Sequence, residues 1–296
     1  MAGSGRTALV VVGPSRSGSS ALARVLSLCG AALPATLLPG GAGNEAGHFE
    51  PARLVALHDR ILAGQGATWW EPLPLPTDWL LSAAAEAHAI GIAEIIAEEY
   101  GAAPLILIKD PRLCRLLPLT LRALDILGIA ARIVLCVRDP GESARSLTRR
   151  DGTDPLTAEL LVVRDLLGME GFSRAAPRVW SGYAGLLADW RGTMTHIAGG
   201  LRVAWPSMDA AEVERFLDPG RRHETLAGTR SAGPLALRLW AACQLGVAGD
   251  DAAARAAFDP VRAVSDELDR LWAPLLNAVW WQRAQLRTLA ADRDPM

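Results

Sequence analysis

The sequence predicts an α/β protein: a P-loop-like, three-layer α/β/α fold around a central parallel sheet, with a helical C-terminal extension. Three observations predict it. Near-continuous apolar runs alternate with stretches of helical periodicity, and strands apolar on both faces belong to a parallel sheet covered on both sides. The first run passes through a Gly/Ser turn straight into a helix, the layout of a nucleotide-binding strand–turn–helix unit. Two later runs end alike, in a charged residue followed by Asp-Pro, at 109–111 and 138–140.

The elements follow in order. "TALVVVG" (7–13) is a short β-branched run, a buried strand ending at Gly13. "SSALARVLSLCG" (19–30) carries apolar residues at helical spacing and stops at a glycine. Residues 34–47 are Pro/Gly-rich and read as loop. "EPARLVALHDRILAG" (50–64) and roughly 80–100 read as helices. "APLILIKDP" (103–111) is the second buried strand, stopped by Pro111. "RLCRLLPLTLRALDIL" (112–127) is helical, with a kink or break expected at Pro118. "ARIVLCVRDP" (131–140) is the third strand, "GESARSLTRR" (141–150) opens the next helix, and 154–170 is helical. "PRVWSGY" (177–183) makes a fourth short strand, "AGLLADWRGTMTHIAGGL" (184–201) one helix, and 234–292 a helical tail without strand signal. The expected division is an α/β domain over 1–230 and a helical extension over 231–296, packed as one unit.

Composition narrows the function. Half of the 296 residues are hydrophobic, and the formal net charge is −2. No global basic field exists to hold nucleic acid or an anionic membrane, so an anion site must be local. The four cysteines show no CxxC pairing, which points to reduced, buried thiols in a cytosolic protein rather than zinc or disulfides. The apolar run Leu9–Val12 is too short for a signal peptide, and no stretch reaches the ~18 apolar residues of a membrane span. A cytoplasmic protein is expected. Lys109 is the single lysine among 30 basic residues.

In a doubly covered parallel sheet, ligands bind beyond the carboxyl ends of the strands. The residues at those ends are Gly13–Ser20, Lys109–Arg112 and Arg138–Asp139. Gly13 and Gly18 keep the glycine spacing of an ATP-binding phosphate loop, but serine stands at 19 where lysine belongs. Small residues let backbone N–H groups approach an anion, the helix from Ser19 aims its positive end at it, and Ser19, Ser20 and Arg16 add donors and charge. Such a loop suits a terminal anion without a β/γ-phosphate chain. Arg138 at the third strand tip and Ser146 eight residues on are placed to hold a phosphate across the turn; a capping Asp139 beside an ordinary surface arginine is the plainer reading.

Five segments, "GPSRSGSSALARVL", "GHFEP", "IKDPRLCRLLP", "CVRDPGESARSLTRRDG" and "SGYAGLLADW", occur in this order. Together they resemble the bacterial branch of the sulfotransferases that use 3′-phosphoadenosine-5′-phosphosulfate (PAPS). The resemblance runs from about Ala8 to Glu224 and does not clearly cover the tail. It implies that Arg16, Ser17, Gly18, Ser19 and Ser20 form the 5′-phosphosulfate loop and that Arg138 and Ser146 hold the 3′-phosphate. It also implies that Lys109 contacts the transferring sulfuryl group, and that Arg221 or Arg222 in "FLDPGRRHE" reaches the nucleotide. The product would be adenosine 3′,5′-bisphosphate, with no metal expected. A base must take the acceptor's proton; "GHFEP" offers Glu50 first and His48 second, Glu50 being readable also as a helix N-terminal carboxylate ahead of Pro51.

The acceptor expected is a small-molecule hydroxyl or amine, not a nucleic acid or a membrane. Trp69 and Trp70 in "TWWEPLPLP" read either as a stacking surface for it or as cover for the core edge. His58 reads as structural or acceptor-lining. The tail segment "LDRLWAPLLNAVWWQRAQL" reads as core packing or a homodimer face, with a lid as a third option. Two other functions stay open: a P-loop kinase or NTPase with an altered loop, and a non-catalytic nucleotide-binding protein.

Overall fold

The four apolar runs become four strands: β1 (Thr7–Val12), β2 (Leu105–Lys109), β3 (Ala130–Val137) and β4 (Arg178–Gly182). The structure, a computed structural model, describes residues 5–41, 47–75, 78–217 and 232–291. The strands pair in one parallel sheet in the order β2-β1-β3-β4. Val11 lies beside Lys109, Val12 beside Leu135, and Val137 beside Gly182, so the carboxyl ends share one edge.

Alternation along each strand feeds two cores. Ala8, Val10 and Val12 of β1, with Ile106, Ile108, Ile133 and Leu135, point to one face. That face is covered by α2 (Ala52–Gly64), α3 (Ala83–Tyr100), α4 (Leu113–Ile126), α6 (Pro155–Ser173), α10 (Pro234–Val247) and the start of α11 (Asp251–Ala291). Leu9, Val11, Leu107, Val134 and Cys136 point to the other, under α1 (Ser19–Leu28), α7 (Tyr183–Ala188), α8 (Trp190–Leu201) and α9 (Ala210–Phe216). Two-residue periodicity in a strand covered on both sides produces this three-layer arrangement. The remaining helix, α5 (Pro140–Asp151), leaves the tip of β3, with Asp139 capping it through Glu142 N at 3.0 Å.

Pro118 neither breaks α4 nor ends it. It cannot donate to the carbonyl of Cys114 one turn earlier. The freed carbonyl turns to α6, where Gly168 admits it: a Cβ there would lie 2.1 Å from Cys114 O. Helix–helix contact is thus set by a proline on one side and a missing side chain on the other. Gly168→Ala is expected to destabilise the protein by about 2 kcal/mol, because overpacking against backbone sits at the upper end of its ~1–3 kcal/mol range and is only partly offset by a helix-propensity gain of about 1. Chemical denaturation checks this.

The single helix expected over 184–201 is two. Asp189 takes an extended conformation and caps α8 by accepting from Gly192 N at 2.8 Å, which ends α7. The tail also divides, at Gly249 (φ 94°), into α10 and α11. Those helices are tied to α6 and β4 by charge. Glu170 of α6, wholly buried, receives Arg174, Arg178 and Arg262 at 2.8, 3.1 and 2.8 Å. Asp251 at the start of α11 takes Arg178 and the Trp180 indole N–H, both at 2.9 Å.

All four cysteines are buried and unpaired as disulfides. Burial pushes Cys29 up to about 11 and Cys136 to about 12, which leaves these two as inert thiols. Among the described residues, no helix is long and apolar enough to cross a membrane.

Candidate active site

The phosphate-type loop turns at the tip of β1. Ser17 N bonds Pro14 O at 3.1 Å, and Arg16 adopts a left-handed backbone, φ 69°. Gly18 caps α1 at φ 88° with no side chain in the cap; a Cβ there would lie 2.1 Å from the Tyr183 ring. A helix start left uncapped by side chains turns its first N–H groups toward the loop, a ready anion seat.

Arg16 leans across the loop and donates from Nε to Ser146 Oγ at 2.9 Å. Ser146 is buried on α5, so strand tips β1 and β3 meet here. Burial, then the charges of Arg150 and Arg138, push Arg16 below the usual guanidinium range. Guanidiniums crowded this way are stabilised by an anion between them. Arg138 lies over the Tyr183 ring (5.1 Å to the centroid) and donates to Glu142 at 2.8 Å. Arg138 and Ser146 both border the loop, Ser146 accepting from Arg16 and Arg138 donating to Glu142.

Lys109, at the tip of β2, is buried and bonds three groups: Glu50 Oε1 at 2.5 Å, Ser20 Oγ at 3.2 Å and His48 O at 3.4 Å. Phe49 makes this possible. Its φ of 54° is a strained value for a bulky residue, and its ring is pinned edge-on to Phe216. Glu50 and His48, on either side of it, then both face Lys109, with His48 Nδ1 4.0 Å from Glu50 Oε1. Burial raises Glu50 above the usual carboxylate range, with Lys109 pulling the other way. Burial, then Lys109 and Arg150, lower His48 below the usual imidazole value, which keeps it neutral.

Beneath this pair lies a buried network that the sequence did not announce. Asp110 accepts from Arg112 N and Nη1, both at 3.0 Å, and His58 Nδ1 lies 2.8 Å from its other oxygen. Burial alone would raise Asp110, but Arg112 and His58 hold it well below the usual carboxylate range. Arg112 forks onto Asp59 at 2.6 and 2.9 Å. His58 is thus a fully buried structural residue and lines no acceptor space. Trp69 is the unexpected part: its ring lies under both Arg112 (5.4 Å) and Arg150 (5.9 Å), while half-exposed Trp70 meets it edge-on at 5.6 Å. Arg115 of α4 fixes their loop by donating to the carbonyls of Thr68 (2.6 Å), Glu71 (3.3 Å) and Leu73.

Of the residues singled out from sequence, Arg16, Ser20, Arg138, Ser146, Lys109, Glu50 and His48 come together around the loop. Ser17 and Ser19 are buried within it, and Ser17 O accepts from the Cys136 thiol at 3.5 Å. Arg221 and Arg222 lie outside the described residues. Sequence reasoning gave no role to Arg112, Arg150 or Tyr183. The sole signals for them were their places, after "KDP", in the last turn of the strand-tip helix and after the fourth strand.

The site therefore defines a class: an α/β/α protein with cationic side chains gathered across three adjacent strand tips and a buried Lys–Glu pair at their side. Among solved structures the chain is similar to the sulfotransferase domain from the Synechococcus PCC 7002 olefin synthase, at 18% identity and a TM-score of 0.44 over 79% of this chain and 93% of that one. It is also similar to the sulfotransferase domain from the curacin biosynthetic pathway, at 15% identity and a TM-score of 0.43 over 79% and 95%. No protein-family model and no curated protein matches the chain.

Proposed function

We propose that the protein is a PAPS-dependent sulfotransferase, acting in the cytoplasm on a hydroxyl or amine of a small molecule. The observation that carries this reading is the convergence of Arg16, Lys109 and Arg138 from neighbouring strand tips on a phosphate loop without a lysine of its own. A donor with one 5′-phosphosulfate and a separate 3′-phosphate needs two modest anion seats rather than a β/γ-phosphate grip and its metal. Arg16 and the amides of residues 17–20 take the first; Arg138 and Ser146 border the second.

Transfer is an in-line displacement at sulfur. The acceptor oxygen forms a bond to sulfur while the bond from sulfur to the 5′-phosphate oxygen breaks. The electron pair stays on that oxygen, and adenosine 3′,5′-bisphosphate leaves. Lys109 and Arg16 neutralise the charge that gathers there, and Glu50 receives the acceptor's proton. The Lys109–Glu50 pair couples these roles. An anion arriving at Lys109 draws the ammonium away from the carboxylate, which raises its proton affinity when a base is needed. Incubation with labelled PAPS and a panel of alcohols, phenols and amines tests the reading; no label transfer and no slow PAPS hydrolysis would reject it.

The sign of the pH dependence follows. Glu50 acts as base only when ionised, so kcat/KM rises with pH through a value above the usual 4.5 of a glutamate and is lost below it. Glu50→Gln should cost about 100-fold. His48 is the second reading, favoured by its neutrality and by a side chain more exposed than that of Glu50. In that case the rise lies below 6.5, and His48→Asn, not Glu50→Gln, removes it.

A kinase would need Mg²⁺-bound ATP on a loop that places Ser19 where the lysine belongs. A non-catalytic binder would tolerate loss of both Glu50 and Lys109.

A further inference from the structure

The two carboxylate oxygens of Glu50 face different cations. Lys109 Nζ holds Oε1 at 2.5 Å, and Arg112 Nη1 stands 3.8 Å from Oε2. The two cations are mounted differently. Lys109 is an ammonium at the end of a flexible stem. Arg112 is buried and gripped on every edge of its guanidinium. Half-exposed Asp59 of α2 takes Nε and Nη2 in a fork at 2.6 and 2.9 Å, and Asp110 takes Nη1 at 3.0 Å. The guanidinium also lies 5.4 Å from the centre of the Trp69 ring. Asp110 is steadied in turn by His58 at 2.8 Å. A guanidinium forked and stacked in this way cannot follow an arriving anion as an ammonium can.

That difference distinguishes the two oxygens. When Lys109 turns to the leaving oxygen, Oε1 is vacated while Oε2 keeps its neighbour. The acceptor's O–H or N–H bond then breaks, its proton passes to Oε1, and its electron pair forms the bond to sulfur. We infer that Arg112 is a positioning residue for this reaction: it fixes Oε2, so that Oε1, the oxygen Lys109 gives up, is the one presented to the acceptor. The inference rests on Glu50 as the base. The charges facing Glu50 are Lys109 from β2, Asp110 just past it, Arg112 just ahead of α4, and His48 two residues before Glu50 itself. Burial, then Asp110, raises the proton affinity of the carboxylate, and Lys109 and Arg112 lower it.

Carbon-13 NMR of the full chain, labelled at the glutamate carboxyls, follows Glu50 directly, its signal being the one absent from Glu50→Gln. Arg112→Gln removes the charge and keeps amide donors for Asp59 and Asp110. Its Glu50 should titrate about one pH unit or more above the wild-type position, the scale for one opposite charge lost at this distance. The acid limb of kcat/KM for PAPS hydrolysis should move up with it. Arg112→Lys keeps the charge but not the fork. Its Glu50 should titrate as in the wild type, while kcat falls about 10–100-fold with the KM for PAPS unchanged, the scale of a base misplaced by about 1 Å. A Glu50 titration unmoved by Arg112→Gln, or wild-type kcat in Arg112→Lys, would overturn the inference. A titration that moves while the acid limb stays in place would instead reject Glu50 as the base, a failure of that reading rather than of the Arg112 contact.

Discussion

Lys109→Ala is expected to lower sulfuryl transfer by about 100-fold or more, the scale of losing one preorganised donor to a developing oxyanion. Arg16 alone cannot compensate. It approaches from the β1 loop, whereas Lys109 enters from β2, beside Ser20 and Glu50. Binding of adenosine 3′,5′-bisphosphate should change far less, because Arg138 and the loop amides remain. The substitution also leaves Glu50 buried without its ammonium. Burial already raises that carboxyl, so it takes up a proton and the fold is retained. Lys109→Ala/Glu50→Gln, which removes both charges, controls for this and should be as inactive as the single variant. Initial rates at saturating PAPS, with thermal unfolding of each variant, check the claim. Wild-type turnover in Lys109→Ala would leave the lysine a structural counter-ion.

The largest effect on stability is expected at Glu170, far from the chemistry. Its carboxylate is wholly buried and serves Arg174, Arg178 and Arg262 at once, and Arg178 is itself almost fully buried. Glu170→Ala removes the one carboxylate these three cations share, leaving Arg178 only Asp251 and Arg174 only Asp259, and breaking a buried pair on one side costs about 3–5 kcal/mol. The melting temperature should fall by roughly 6–20 °C, at about 2–4 °C per kcal/mol for a chain of this size or somewhat smaller. Loss should begin at α11, because Arg262 is one of the links between that helix and α6. Glu170→Gln, which keeps acceptor and shape but not charge, should fall between. Hydrogen exchange across 251–270 would place the opening, and unchanged protection there would contradict the anchoring role.

Much of this architecture was legible because it is written in local pattern. Runs such as LVVV, LILI and IVLCV cannot be surface strands, and the rule that ligands meet a parallel sheet at its carboxyl edge selected Gly13–Ser20, Lys109 and Arg138 before any contact was known. What was not legible depends on long-range contact. The bond between Ser146 and Arg16, 130 positions apart, is one such contact. Asp110 was merely part of a strand ending, yet it organises His58 and Arg112 from the interior. Trp69 gains its place from two arginines far apart in sequence, Arg112 just ahead of α4 and Arg150 in α5. The break at Asp189 was missed because helical periodicity runs through it and the capping bond outweighs that pattern. At Pro118 α4 continues without the break that was one of two expectations, and the carbonyl the proline frees lies against a glycine fifty residues later in the chain.

The account rests on one seat for an adenosine bisphosphate at the tips of β1, β2 and β3, and calorimetric titration of the wild-type chain and Arg16→Ala/Arg138→Ala tests it most directly. Adenosine 3′,5′-bisphosphate should bind the wild type without added metal and more tightly than ATP with Mg²⁺. The double variant should bind it about 10–100-fold more weakly, the scale of about 1.5–3 kcal/mol for a lost charge-assisted hydrogen bond. Tighter binding of ATP with Mg²⁺, or undiminished affinity in the double variant, would contradict the account.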